Sequence, residues 1–152
     1  MLSIAMVGVI DKYVGDEVMA LFGTPLEKKE SALSSIKCAL AICDTLKKWN
    51  SERKKEGLVP VNMGIGIHSG QAVVGNMGAE NRLNYTALGS SVNLASRICS
   101  IAGSSEVLIS KETLNEEGVL ENVEVSELEP VSLKGFSDLI VIYKVNGIKV
   151  EK

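Results

Sequence analysis

The sequence is poor in the residues that mark metal centres, disulfide frameworks and nucleic-acid interfaces. It contains one histidine and three cysteines, Cys38, Cys43 and Cys99, which lack paired metal-ligand spacing. Because their number is odd and they lie in apolar stretches, we predict reduced core thiols in a cytoplasmic protein. Sixteen Lys and Arg against nineteen Asp and Glu give a net charge of −3. A weakly acidic chain without a long basic run argues against nucleic acid as a main partner.

Long apolar runs are also absent from the sequence. The first ten residues are apolar, yet they lack a basic flank and lead directly into Asp11 and Lys12. We therefore expect neither a signal peptide nor a membrane-spanning segment, although an anchor elsewhere in a longer parent protein stays open. A chain of 152 residues has the size of one ordinary domain, and we predict a single domain over residues 1–152.

The first third of the chain is predicted to form a hairpin followed by a long helix. Two β-rich runs, 7–14 and 17–22, flank Gly15-Asp16, a pair that suits a tight turn. Apolar residues then recur at three- and four-residue spacing, which predicts a helix over about 28–55. Basic residues crowd the end of this helix, and Gly57 is placed to stop it.

The rest of the chain predicts a mixture of strands and shorter helices. In chain order we expect a second hairpin at 61–68 and 71–75, a strand at 82–88, a helix that begins near Gly89-Ser90-Ser91 and ends before Gly103, and strands at 107–109, 119–128 and 139–145 with a short helix at 111–115. This order predicts an α+β fold with a ferredoxin-like antiparallel sheet and helices on one face.

Four segments carry a more specific signal. They read IDKYVGDEVMALFG at 10–23, GIGIHSGQAVVGNMG at 64–78, YTALGSSVNLASR at 85–97 and SLKGF at 132–136. In this order and spacing they resemble the class III adenylyl and guanylyl cyclase catalytic domain over nearly the whole chain. The resemblance implies intramolecular conversion of ATP to 3',5'-cyclic AMP and pyrophosphate, assisted by two Mg²⁺ or Mn²⁺ ions.

The resemblance implies that two residues select the nucleotide base. Lys12 matches the family residue that recognises the base, and Thr86 matches the partner of that residue. An ammonium group suits the acceptor N1 of adenine, and a hydroxyl can accept from the 6-amino group, so the pair indicates ATP. A guanylyl cyclase would be expected to place glutamate and cysteine there. The more familiar adenylyl pairing has aspartate in place of Thr86, and a guanylate cyclase or a non-catalytic nucleotide-binding module therefore stays open.

The other implied site residues serve the ribose, the phosphates and the metal ions. Asn93 and Arg97 are four residues apart on one predicted helix and so share a face. The resemblance implies that Asn93 orients the ribose and that Arg97 stabilises charge on the α-phosphate. It assigns Lys134 to the terminal phosphates and Asp16 to a metal ion, for which a hard oxygen ligand is suitable. The single histidine, His68, matches no catalytic position, and we interpret it as structural.

The resemblance also implies a twofold homodimer with composite active sites. Lys12 and Asp16 are separated by about 13 Å along a strand and would serve different sites, with the metal-binding carboxylate of one subunit meeting the remaining residues of its partner. One departure from the family lies at the N-terminus, where an earlier strand with a second metal-binding aspartate is missing, together with two helices. We therefore expect this chain to be a truncated form with weak or no activity.

Overall fold

The computed structural model describes residues 9–14, 16–24, 29–77 and 84–150. Within these ranges eight strands form one four-stranded and two two-stranded sheets, accompanied by four helices. The strands are β1 (Val9–Val14), β2 (Glu17–Leu21), β3 (Ile65–Ile67), β4 (Val73–Met77), β5 (Asn84–Leu88), β6 (Val107–Ser110), β7 (Val123–Glu127) and β8 (Ile142–Ile148). The helices are α1 (Ser31–Lys55), α2 (Ser90–Ile101), α3 (Lys111–Leu114) and α4 (Val119–Asn122).

The predicted first hairpin and long helix are both present. β1 and β2 pair antiparallel, and Asp16 lies in the turn between them. The helix α1 begins at Ser31, a few residues later than predicted, and ends before Gly57, which adopts a left-handed conformation (φ 75°) that glycine tolerates. None of the helices in the described residues is both long enough and apolar enough to cross a membrane.

The second predicted hairpin is wrong in its pairing. β3 does not pair with β4; it lies parallel to β6, while β4 pairs antiparallel with β5. Parallel strands need a crossover connection, and the chain between β3 and β6 supplies one because it contains α2. The four-stranded sheet, in the order β3-β6-β8-β7, is therefore mixed and not wholly antiparallel.

Helices cover both faces of this sheet, which differs from the predicted single helical layer. Side chains alternate between the faces of a strand, and Val107 and Ile109 of β6 pack with α1 whereas Leu108 packs with Leu94 and Ile98 of α2. The α+β class is confirmed. The two helices use opposite faces because each has its own apolar stripe to bury.

Two smaller boundaries also differ from the predictions. The run 119–128 is not one strand, because α4 occupies its first four residues after Gly118, which has φ 84°. The strand predicted at 139–145 begins at Ile142, and only an isolated bridge joins Ile140 to Val131. The three cysteines are free, as predicted, but they are half-buried and not in the fully buried core.

Candidate active site

The helix α2 presents two of the predicted site residues side by side. Leu94 and Ile98 are 8% and 0% exposed and anchor one side of the helix to the sheet. Asn93 and Arg97, one turn apart, are both exposed. The amphipathic pattern of this short helix therefore decides which polar side chains face outward, and it brings an amide and a guanidinium to one patch of surface.

The depth at which α2 lies on the sheet is set by a glycine that the sequence analysis did not single out. A Cβ atom added to Gly66 of β3 would lie 2.7 Å from Cys99 Cα and 2.8 Å from Ile98 C. The neighbouring Gly64 is similarly close to Ala102, at 2.7 Å from its carbonyl oxygen. The helix backbone thus rests directly on β3. The sequence signal for this close approach is the pair of glycines two residues apart, Gly64 and Gly66, just before and within β3.

Lys134 is held beside α2 through its neighbour. Leu133 is 5% exposed and packs in the same apolar cluster as Leu94 and Ile98. Lys134 itself is exposed in a turn that Gly135 allows with φ 90°, closed by a hydrogen bond from Phe136 N to Leu133 O of 3.1 Å. Burial of one leucine therefore ties an exposed ammonium group to the helix that carries the amide and the guanidinium.

The turn that carries Asp16 also contacts α2. Asp16 is exposed, and the following residue, Glu17, accepts a hydrogen bond of 3.3 Å from Ser96 Oγ. Burial raises the pKa of the Cys99 thiol, and the negative charges of Glu17 and Asp16 raise it further, against an opposing hydrogen bond from the backbone of Gly66. The carboxylates of the hairpin thus lie within electrostatic range of one side of α2.

Lys12 and Thr86 lie on strands that are neighbours in space. Lys12 is on β1, paired with Met19, and Thr86 is on β5, paired with Gly75. Parts of β1 and β5 approach each other with Cα atoms within 8 Å. The side chains of both residues lie outside what the structure describes. Their joint reading of a base stays a prediction, but the two strands that would present them are adjacent.

Comparison with known proteins identifies the family. Residues 9–147 match the family described as the adenylate and guanylate cyclase catalytic domain. The chain belongs to this family. Among curated relatives, the cyclase domain is 35% identical over 149 residues to adenylate cyclase 1 of Rhizobium meliloti, covering 93% of this chain and 21% of that protein. It is 34% identical over 147 residues to an adenylate cyclase of Anabaena cylindrica, covering 92% of this chain and 28% of that protein.

Solved structures of both substrate types resemble this cyclase domain. The guanylyl cyclase Cya2 superimposes with a TM-score of 0.86 at 37% identity, over 93% of this chain and 71% of that one. The adenylyl cyclase CyaB from P. aeruginosa superimposes with a TM-score of 0.84 at 35% identity, over 91% and 71%. The cyclase domain spans only 21% and 28% of the two curated relatives named above. The family and the fold are thus established, and the choice between ATP and GTP is not.

Members of this cyclase family normally use divalent metal ions. In the described ranges, no group of three or more His, Cys, Asp or Glu side chains is arranged to hold one. Asp16 offers a single exposed carboxylate at a turn tip. That is compatible with Mg²⁺, which is commonly held by one or two carboxylates together with substrate phosphates and water. The described residues could thus contribute one ligand to a shared site, and they do not form a metal site of their own.

Two cavities lie away from these residues. One of about 450 Å³ is bordered by β7, the end of α4 and Lys149, and another of about 330 Å³ lies between α1 and β8. Neither is lined by Asp16, Asn93, Arg97 or Lys134. Asp16, Asn93, Arg97 and Lys134 are all exposed on the surface of the single chain.

Proposed function

We propose that this cyclase domain converts ATP to 3',5'-cyclic AMP and pyrophosphate in intracellular signalling. The observation that carries the proposal is the exposed pair of Asn93 and Arg97 on α2, beside the anchored turn of Lys134. An amide and a permanently charged guanidinium on one helix face, with an ammonium group on a neighbouring turn, suit a ribose and a triphosphate.

In the proposed reaction the ribose 3'-oxygen forms a bond to the α-phosphorus while the bond from that phosphorus to the bridging oxygen of pyrophosphate breaks. The 3'-hydroxyl gives its proton to solvent water, and negative charge grows on the α-phosphate. Arg97 stabilises that charge through its guanidinium, and Asn93 orients the ribose by hydrogen bonds. Lys134 binds the terminal phosphates. A divalent ion held partly by Asp16 would lower the pKa of the attacking hydroxyl and offset phosphate charge.

The choice of ATP rests on Lys12 and Thr86. The ammonium of Lys12 would donate to adenine N1, and the hydroxyl of Thr86 would accept from the 6-amino group. The approach of β1 and β5 supports a joint role for the two residues. Guanylate cyclase activity is the alternative, because the structurally similar Cya2 is a guanylyl cyclase. A non-catalytic module that dimerises and binds nucleotide is a second one.

A homodimer would bring the proposed site residues of two subunits together in two composite active sites. In this arrangement Asp16 of one subunit faces Lys12, Thr86, Asn93, Arg97 and Lys134 of the other. Support comes from exposed apolar side chains on the strands that border the site. Val18 on β2 is 55% exposed and Val73 on β4 is 66% exposed, and a second copy could bury them.

The first test measures products from the purified chain. The chain is incubated at high concentration with Mn²⁺ and either ATP or GTP, and cyclic nucleotide is quantified by chromatography. We expect cyclic AMP to form faster than cyclic GMP, and the paired substitution Lys12→Glu with Thr86→Cys to reverse that preference. Faster use of GTP by the unchanged chain would contradict the reading of Lys12 and Thr86. No product from either nucleotide would favour the non-catalytic module.

The second test examines whether the site is shared between subunits. Asp16→Asn and Arg97→Ala should each abolish turnover in a pure sample. Mixed in equal amounts, they should regain about a quarter of the unmodified activity, because half of the dimers are mixed and each has one intact site. If the mixture has no cyclase activity although sedimentation shows that the dimers exchange subunits, a composite site would be contradicted.

A further inference from the structure

A buried polar network at one edge of the sheet is not used by the proposed reaction. His68 follows β3, and its Nδ1 lies 2.8 Å from Ser110 Oγ at the end of β6. Ser110 and Thr113 are 0% exposed, and their hydroxyl oxygens are 3.2 Å apart. Thr113 Oγ1 in turn donates to Ser69 Oγ at 3.1 Å. Parallel strands bring their carboxyl ends to the same edge, which is why His68 and Ser110 meet.

The network holds the imidazole in place. Ser110 Oγ caps α3 by accepting from Thr113 N at 3.3 Å. Its own hydrogen can then point either to the histidine or to Thr113. In each case every buried hydroxyl has a partner, which a buried polar cluster requires. With the side chain of His68 only 7% exposed, ring rotation would break these bonds and leave buried groups unpaired.

The segment that follows His68 approaches the start of α2 at Gly70. A Cβ atom on Gly70 would lie 3.0 Å from His68 Nε2 and would also overlap Ser91 Oγ in the first turn of α2. Gly70 therefore lies close to both the histidine ring and that turn. His68 and Ser91 thus both lie near Gly70, and Asn93 and Arg97 follow Ser91 within the next two turns of α2.

We propose that His68 is a positioning residue: its imidazole, held by Ser110, supports the 68–72 connection against the first turn of α2 and thereby sets the location of Asn93 and Arg97. The kinetic consequence rests on the proposed cyclase activity. The structural consequence does not, because it concerns only the coupling between the ring and α2.

A nucleophilic role for the nearby hydroxyl is excluded by its surroundings. Ser110, His68 and Glu112 resemble a catalytic triad in composition, yet Ser110 Oγ is fully buried and already bonded to Thr113. Glu112 of α3 faces the ring with its carboxylate 3.9 Å from Nδ1 and is largely exposed. The partners contributed by β6 and by the 68–72 connection are neutral hydroxyls. The cluster therefore positions backbone and does not react.

Because His68 is the only histidine, its ring can be observed alone by NMR after labelling with ¹³C-histidine. Burial lowers its pKa from 6.5, and the carboxylate of Glu112 opposes that shift. We expect the ring to titrate below pH 6.5 and the backbone amides of Asn93 and Arg97 to shift with the same midpoint. In His68→Asn, which keeps a donor near the position of Nδ1, those amide titrations should vanish. A ring that titrates without any response in α2 would overturn the proposal.

Kinetics provide the second readout. We expect His68→Leu to lower kcat about ten- to a hundredfold, because small displacements of a transition-state group have effects of this size. KM should change less than about twofold, since binding through Lys12, Thr86 and Lys134 is retained. His68→Asn should recover part of kcat. Val119→Ala, which lies in the α1 core cluster, serves as a destabilised control and should leave kcat per folded molecule unchanged.

The outcomes separate this proposal from the proposed function. Equal losses of kcat in His68→Leu and Val119→Ala would mean that His68 contributes only to stability, and the positioning role would be wrong. An unmodified chain that produces no cyclic nucleotide would contradict the cyclase proposal alone, since the NMR titration of Asn93 and Arg97 would still decide whether His68 is coupled to α2.

Discussion

Ser96 on α2 donates a hydrogen bond of 3.3 Å to Glu17, the residue that follows Asp16 in the first hairpin. This single contact connects two of the predicted functional segments of one chain. Ser96 directly precedes Arg97, so Arg97 and Asp16, the proposed metal ligand, are each one residue away from a partner in this hydrogen bond. This bond therefore couples the orientation of the hairpin turn to that of α2.

Removing that bond should loosen the hairpin from α2. We expect Ser96→Ala to lower the free energy of unfolding by about 1 kcal/mol, the typical net contribution of an intramolecular hydrogen bond, and to raise KM for the metal ion through displacement of Asp16. Urea unfolding and Mn²⁺ titration of activity measure the two effects. Ser100→Ala is the matched control, because Ser100 Oγ bonds only within α2, to Arg97 O at 2.7 Å. Equal effects of both variants would contradict a role for the contact.

The close packing of α2 on β3 predicts strong sensitivity at Gly66. Gly66→Ala would place a methyl group 2.7 Å from Cys99 Cα, and the helix must move away. We expect a loss of about 2–3 kcal/mol of stability, measured by urea unfolding, together with reduced activity because Asn93 and Arg97 move with the helix. Gly75→Ala, on a strand where an added Cβ has open space within 4 Å, should change stability little. A Gly66→Ala variant as stable as the unmodified chain would show that α2 does not rest on β3.

Burial of the histidine predicts a pH-dependent stability. Because the pKa of His68 is lowered from 6.5 in the folded state, the unfolded chain takes up a proton first as the pH falls. The contribution of the neutral His68 ring to stability is complete above pH 6.5 and is lost as the pH falls below that value. The free energy of unfolding then changes by at most about 1.4 kcal/mol per pH unit. The difference in unfolding free energy between the unmodified chain and His68→Asn isolates this contribution, since the carboxylates are common to both. A difference independent of pH between 5 and 7 would contradict the lowered pKa.

Thiol reactivity should follow the local charges. Burial raises the pKa of Cys43, and the neighbouring Asp44 raises it further, whereas the pKa of Cys38 is raised by burial alone. We therefore expect Asp44→Asn to speed alkylation of Cys43 by iodoacetamide at pH 8, while Cys38 in the same sample changes little. Peptide mass spectrometry reports each site separately. Equal acceleration at both cysteines would indicate partial unfolding and not a local charge effect.

Much of the local structure follows from sequence pattern because its causes are local. The turn at Asp16, the helix α1 and the helix that carries Asn93 and Arg97 were all predicted from turn residues and three- and four-residue apolar spacing. The start of α2 was predicted at Gly89-Ser90-Ser91, and it lies there. The N-cap of α2 is Gly89, with φ 134° and no side-chain hydrogen bond. Gly89 adopts a positive φ that residues with a Cβ atom rarely adopt, and the sequence does not show that the chain needs this conformation here.

Strand pairing and the surroundings of His68 could not be predicted in this way. Each strand reads similarly whether its partner is parallel or antiparallel, and the partner is chosen by which apolar faces must be buried together. The pairing of β3 with β6, the two helix-covered faces of the sheet and the meeting of His68 with Ser110 across 42 residues depend on that choice.

The amino-acid sequence by itself determined the elements, the family motifs and the residue types available for chemistry, since these depend on neighbours in the chain. Only the tertiary structure decided that Leu133 packs with α2 beside the turn of Lys134, that Ser96 joins this helix to the Asp16 hairpin, and that His68 meets Ser110. Such contacts join residues far apart in the chain, and their existence depends on the burial of the whole core and not on any one segment.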